Sequence, residues 1–234
     1  MKIRLFGVVL VVWGNLLHRL IGDTAVLPGG SPQFVIAGAA LVAVSLLAAR
    51  ALGLNASALG LTPGGVLRGI GIGVLAGGAV AVLAVAATRL APLIVGVPLV
   101  YGPLVGVTGD RLALHIALFL PLGAVIPEEV AFRGTLLAGL HRQMGLRAAI
   151  VASALTFALW HGFVAIATVA DSTLGQTPGW WVLGIAGAMV VLFFGGVIMA
   201  ILRTITGTLA TSIAAHWVFN AVILVGLWMN RAAS

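Results

Sequence analysis

Apolar stretches of about 20 residues follow one another along almost the whole chain, each long enough to cross the hydrocarbon core of a bilayer as a helix. Hydrophobic residues make up 62% of the sequence, charged residues only 7%, and mean hydropathy is +1.23; a soluble domain carries about 25% charged residues. The fold class that follows is all-α, a polytopic transmembrane helix bundle. The length of 234 residues holds about seven spans and leaves no room for a soluble domain.

Leu5 to Leu17 follows Lys2 and Arg4 as the apolar core of a signal peptide would, but no small-residue cleavage site follows His18 and Arg19, so it is read as a retained first span. A polar turn is expected at Asp23 to Gln33, then a span at Phe34 to Ala49 and a loop or short surface helix at Arg50 to Arg68. Gly69 to Thr88 is a third span, rich in the small residues that let helix backbones approach in lipid. Ala91 to Val107 is apolar but interrupted by Pro92, Pro98 and Pro103, which favours a re-entrant or interfacial segment over an eighth span. Leu112 to Ile126 is read as a span, Phe132 to Met144 as a short continuation or interfacial helix, and Arg147 to Ala170, Trp181 to Leu202 and Thr208 to Met229 as the remaining spans. Trp180, Trp181 and Trp228 are expected as interfacial anchors.

The net charge of +7 comes from basic residues scattered singly between apolar runs, so nucleic acid is not an expected partner; membrane lipids are. With the N-terminus inside, Lys2, Arg4, Arg50, Arg68, Arg133, Arg142, Arg147 and Arg203 fall on the cytoplasmic side and Arg19, Arg89, Arg111 and Arg231 opposite, which is the expected positive-inside asymmetry. There is no cysteine, so disulfides, thiolate ligands and a cysteine nucleophile are excluded, and any bound metal must use histidine and carboxylate.

Against this background Glu128 and Glu129, the only glutamates, stand side by side next to a long apolar run. An ionisable group near the bilayer centre costs about 2.5–3.5 kcal/mol even on lenient scales, which makes a functional site the default. On a helix Glu129 and Arg133 share a face and pair, while Glu128 points about 100° away and is left free for general base or acid chemistry. The alternative is a helix-end ion pair beside a spare exposed acid. His161 lies four residues after Phe157 near the middle of a span, and His216 and Asn220 are one turn apart on the last span, able to offer two donors to one oxygen or to act as interhelical glue. Facing inward is the only way for these groups to avoid lipid, so they are expected to converge. His18 and His141 are read as interfacial, and His115 has no patterned partner.

Three motifs in this order, Glu128-Glu129-Val130-Ala131-Phe132-Arg133 as E-E-x-x-x-R, Phe157 to His161 as F-x-x-x-H and His216 to Asn220 as H-x-x-x-N, resemble the CAAX protease and bacteriocin-processing (Abi) family of intramembrane endopeptidases. The resemblance covers about Leu112 to Leu227, including Gly195 to Leu209, and divides the chain into N-terminal helices without a family motif (1–111) and a core of helices that carries the motifs (112–229). It implies that Glu128 activates the attacking water with His161, that His216 and Asn220 stabilise the oxyanion, and that Glu129 and Arg133 support the architecture. The segment between His161 and Gly195 is longer than the family pattern, which leaves the substrate entrance open. A metal-free glutamate mechanism is preferred, with zinc on His161, His216 and Glu128 as the alternative.

No H-E-x-x-H, Gly-x-Gly-Asp or rhomboid-like serine context supports another membrane-protease chemistry. The expected substrate is a peptide or lipidated protein, in the cell membrane, with the site opening towards the cytoplasm. The competing functions are an idle membrane scaffold or bacteriocin-immunity protein and a proton-coupled transporter, the last disfavoured by the lack of a repeat pair.

Overall fold

The computed structural model describes residues 2–21 and 31–230, and all their regular elements are helical. In chain order they are α1 (Lys2–Ile21), α2 (Pro32–Ala51), α3 (Val66–Leu90), a long helical run α4 (Gly109–Met144), α5 (Leu146–Trp160), α6 (Gly162–Ala170), α7 (Trp180–Thr206) and α8 (Leu209–Asn230). Six helices are long and apolar enough to cross a membrane, and the α5–α6 pair, bent by 49°, makes a seventh if it is one broken span. The chain is a multi-pass all-α membrane bundle. The turn expected at Asp23 to Gln33 lies mostly outside the described residues, as does Arg231.

Residues 91–107 do not cross. After α3 they form one helical turn at Pro92–Val95 and a 3-10 turn at Gly102–Leu104, and Tyr101 makes an isolated antiparallel bridge with Ser172. The prolines that forbid a continuous helix here supply rigid turns instead.

Successive spans alternate between two ends of the bundle. At one end Arg142 donates to the carbonyls of Leu52 and Gly53, Arg203 to that of Ala58 at 2.7 Å, and the Leu209 N–H to that of Gly60. At the other, Gly102 N–H donates to the Asp171 carbonyl at 2.8 Å and the Trp228 indole to the Val107 carbonyl at 2.8 Å. Trp228 is therefore tied into a cluster with Tyr101, Leu104 and Leu112 rather than being a free interfacial anchor.

Small residues set the helix spacing. Gly69, Gly73 and Gly77 of α3 lie against Thr208, Thr211 and Ala215 of α8, and a Cβ on Gly73 or Gly77 would drive into the backbone carbonyl of Thr211 or Ala215. The two helices run parallel along this seam, the backbone approach that small-xxx-small patterns permit in lipid. Gly14 of α1 likewise receives the Trp160 ring, and Gly38 of α2 receives Pro127 and the Leu122 carbonyl.

Of the two readings of Phe132 to Met144, a continuation or an interfacial helix, the structure takes the continuation. Gly109–Met144 is one helical run, in which His115–Phe119, Pro121–Val125 and Val130–Leu136 are wound as wide π-turns. Pro121 and Pro127 cannot donate backbone hydrogen bonds, and widened turns re-satisfy the freed groups without ending the helix.

Candidate active site

The centre of α4 carries the acids. Glu129 is fully buried, Arg133 is 1% exposed, and Arg133 Nη1 lies 2.9 Å from Glu129 Oε1, so the i,i+4 pair expected from spacing forms. Arg133 is thus inside the bundle and not at its cytoplasmic rim, where its place in the sequence had put it. The guanidinium lies 4.1 Å from the Phe157 ring centroid, which screens it from lipid by a cation–π contact.

Glu129 also takes a second partner. His216 Nδ1 is 2.9 Å from the same Oε1, and because a carboxylate only accepts, Nδ1–H is the donor. This bond joins α8 to α4 and turns the outer nitrogen of His216 away from Glu129. The His216–Asn220 pair does not act alone, as the four-residue spacing suggests; one of its members is oriented by the second glutamate.

His161 stands at the bend between α5 and α6, not in the middle of a continuous span. Its Nδ1 lies 2.8 Å from the Phe157 carbonyl, so Nδ1 carries the proton and Nε2 faces Glu128 Oε2 across 3.6 Å. Glu128 is therefore not free of neighbours. The gap is beyond a direct hydrogen bond, but it is one that a single water spans. Phe157 is the hub of the arrangement: its ring meets His161 at 4.4 Å, His216 at 6.0 Å and Phe132 at 5.1 Å between centroids.

Glu128, His161, His216 and Asn220 all line one cavity of about 810 Å³, whose walls are mainly apolar. Glu129 and Arg133 lie behind that wall. His115, set aside in the sequence for want of a partner at helical spacing, also lines the cavity and is 3% exposed. His18 lines it as well, at the end of α1, while His141 is exposed. Among the described residues no three histidine, aspartate or glutamate side chains come together as a metal-binding group, so Glu128, His161 and His216 do not fit the zinc alternative as placed.

Residues 110–222 match the family model of type II CAAX prenyl endopeptidase Rce1-like proteins, a range that contains all six site residues. The match covers just under half of the chain and supports the resemblance to the CAAX protease family carried by the three motifs. The match points to a membrane endopeptidase in general terms, and the matched region begins with α4 and ends just past Asn220. No curated protein and no solved structure matches the chain. Helices α1 to α3 precede the matched region, yet Trp13, Gly38, Leu41 and Gly77 from them line the same cavity.

Proposed function

We propose that the protease hydrolyses a peptide bond inside the membrane with water activated by Glu128. The observation that supports this most is the facing pair of Glu128 Oε2 and His161 Nε2 at 3.6 Å on the wall of a cavity that also holds His216 and Asn220. A water between them donates one hydrogen to each acceptor and directs its lone pair at the substrate carbonyl. Glu128 takes the proton as the oxygen attacks and returns it to the leaving amine as the C–N bond breaks. The oxyanion falls to the Asn220 amide and to Nε2 of His216, which donates as an imidazolium balanced by Glu129. The substrate is a peptide or lipidated protein, and the setting is the cell membrane.

Purified protein in detergent, given prenylated and transmembrane peptides, is expected to cleave at least one of them, and Glu128→Gln is expected to lower the rate by about 10²–10⁴-fold, the usual scale of general-base catalysis. Cleavage by Glu128→Gln at the native rate rejects the mechanism. Zinc analysis and chelation on the same preparation test the alternative: stoichiometric zinc whose removal abolishes turnover would replace the metal-free mechanism.

A further inference from the structure

Asn15 is the only amide side chain in the apolar run Leu5 to Leu17 of α1. An amide in hydrocarbon is costly unless its donors and acceptor are satisfied, and here they are. One amide hydrogen goes to the Val11 carbonyl of its own helix at 2.8 Å, the other to the Leu159 carbonyl at 2.9 Å, and Oδ1 accepts the Phe163 N–H at 3.0 Å. Because the nitrogen only donates and the oxygen only accepts, these three partners fix which way round the amide stands.

Leu159 and Phe163 flank His161. In an unbroken α-helix the N–H of residue 163 bonds the carbonyl of residue 159, and that rung would join α5 to α6. Asn15 serves both of its groups, so the carboxamide is set into the ladder where the two axes diverge by 49°. Insertion of a side chain into the ladder is one of the few causes of a sharp kink, and residues 146–170 contain no proline to supply another. Glycines admit the approach. A Cβ on Gly162 would stand 3.0 Å from Asn15 Oδ1, and on the other side of His161 the Trp160 ring occupies the space beside Gly14, the neighbour of Asn15 in α1.

His161 is the residue caught in the break. Its N–H reaches back only three residues, to the Ala158 carbonyl at 3.0 Å, and its own carbonyl resumes the ladder with the Ala165 N–H at 2.8 Å. Its φ of −92° departs from the α-helical value of about −63°. Cβ turns with φ, so the direction of the ring is set by the break. In that direction Nδ1–H rests on the Phe157 carbonyl and Nε2 faces Glu128 Oε2 at 3.6 Å.

We propose that Asn15 is a positioning residue for catalysis, a polar wedge from α1 that holds the helix open at His161 and so aims the imidazole at Glu128. Asn15 does not line the cavity and lies outside the matched residues 110–222, so it acts through His161 and not on the substrate. The assignment rests on the endopeptidase reading for what His161 does, but not for what bends the helix.

The bend is measured without any substrate. The chain has no cysteine, so spin labels on Leu146→Cys and Ala170→Cys, exposed at the far ends of α5 and α6, report the distance across the break in the full chain in detergent. Asn15→Leu removes the wedge and lets residues 159 and 163 pair, and straightening a 49° bend between arms of this length is expected to lengthen the distance by about 3 Å. Phe163→Pro added to Asn15→Leu is expected to bring the distance back, because proline has no N–H to give and its ring crowds the carbonyl four residues earlier. An unchanged distance in Asn15→Leu overturns the wedge.

With a cleaved peptide in hand, Asn15→Leu is expected to lower kcat at least about tenfold with KM within about twofold, and the double variant to recover most of the loss. A side chain needed only for folding would not be replaced by a second, helix-breaking substitution. Native kcat in Asn15→Leu overturns the positioning role, as does a double variant that regains the bend but not the rate. Failure of both variants to fold would make Asn15 a folding residue and overturn it too. If the distances change as expected but the native chain cleaves no peptide, the endopeptidase reading fails while Asn15 remains the cause of the bend.

Discussion

Glu129, itself fully buried, holds two partners on one oxygen, the Arg133 guanidinium from its own helix and the His216 imidazole from α8. Its partners are not interchangeable with apolar residues one at a time, because removing a single member leaves a buried charge uncompensated at a cost of about 3–5 kcal/mol. Arg133→Met is therefore expected to lower the thermal unfolding temperature in detergent sharply, whereas Glu128→Gln, at a side chain 3.6 Å from its neighbour and without a direct hydrogen bond to it, is expected to leave it nearly unchanged while lowering turnover by about 10²–10⁴-fold. Equal unfolding temperatures for Arg133→Met and the native chain would show that Glu129 is not held as an ion in the fold. Tyr101 makes a second residue-scale case. Burial, reinforced by the nearby Asp171 carboxylate and opposed by a hydrogen bond from Thr168, pushes its phenol up from 10.0 to about 12. The fold favours the neutral phenol, so this stabilisation is complete below pH 10 and is lost as pH rises from there to about 12. Tyr101 is the only tyrosine, and phenolate absorbance is expected to rise with a midpoint near 12 in the folded protein and near 10 after unfolding.

At the scale of elements, the seam between α3 and α8 carries the His216–Asn220 helix into position. Gly73 has no space for a side chain, while Gly71, two residues away on the same helix, has nothing within 4 Å of where a Cβ would stand. Gly73→Ala is expected to destabilise by about 1–3 kcal/mol, as overpacking does, and Gly71→Ala to be neutral or to stabilise by up to about 1 kcal/mol through helix propensity. Unfolding in detergent measures both, and equal effects would mean that the seam does not govern packing. The bend at His161 is a second element-scale device. By ending α5 with the His161 Nδ1–H held on the Phe157 carbonyl, it turns the ring towards Glu128, which a straight helix has no reason to do.

For the whole molecule, the boundary of the family match is not a boundary of packing. Gly14 accommodates Trp160, Gly38 accommodates Pro127, the Thr135 hydroxyl donates to the Ser45 carbonyl at 3.0 Å, and α3 lies along α8. A chain comprising residues 109–230 alone lacks three walls of the cavity, and it is expected to elute as aggregate on gel filtration in detergent where the full chain elutes as a single species. A monodisperse, thermally cooperative fragment would show that the matched region folds without the helices before it.

Much of the span layout was legible because it depends on local quantities: run length, proline positions and the placement of arginines. The candidate residues were legible for the same reason, since two glutamates in lipid are costly and three short motifs carry the family likeness. The Glu129–Arg133 pair needed only one turn of helix. Arrangements between helices were decided by tertiary structure. Glu128 meets His161 across 33 residues of chain and His216 reaches Glu129 across 87, and those distances depend on which glycines let which backbones close up. The bend at His161 and the burial of Arg133 arise from how the helices pack, because periodicity along one helix cannot tell which of its neighbours fills the space beside it.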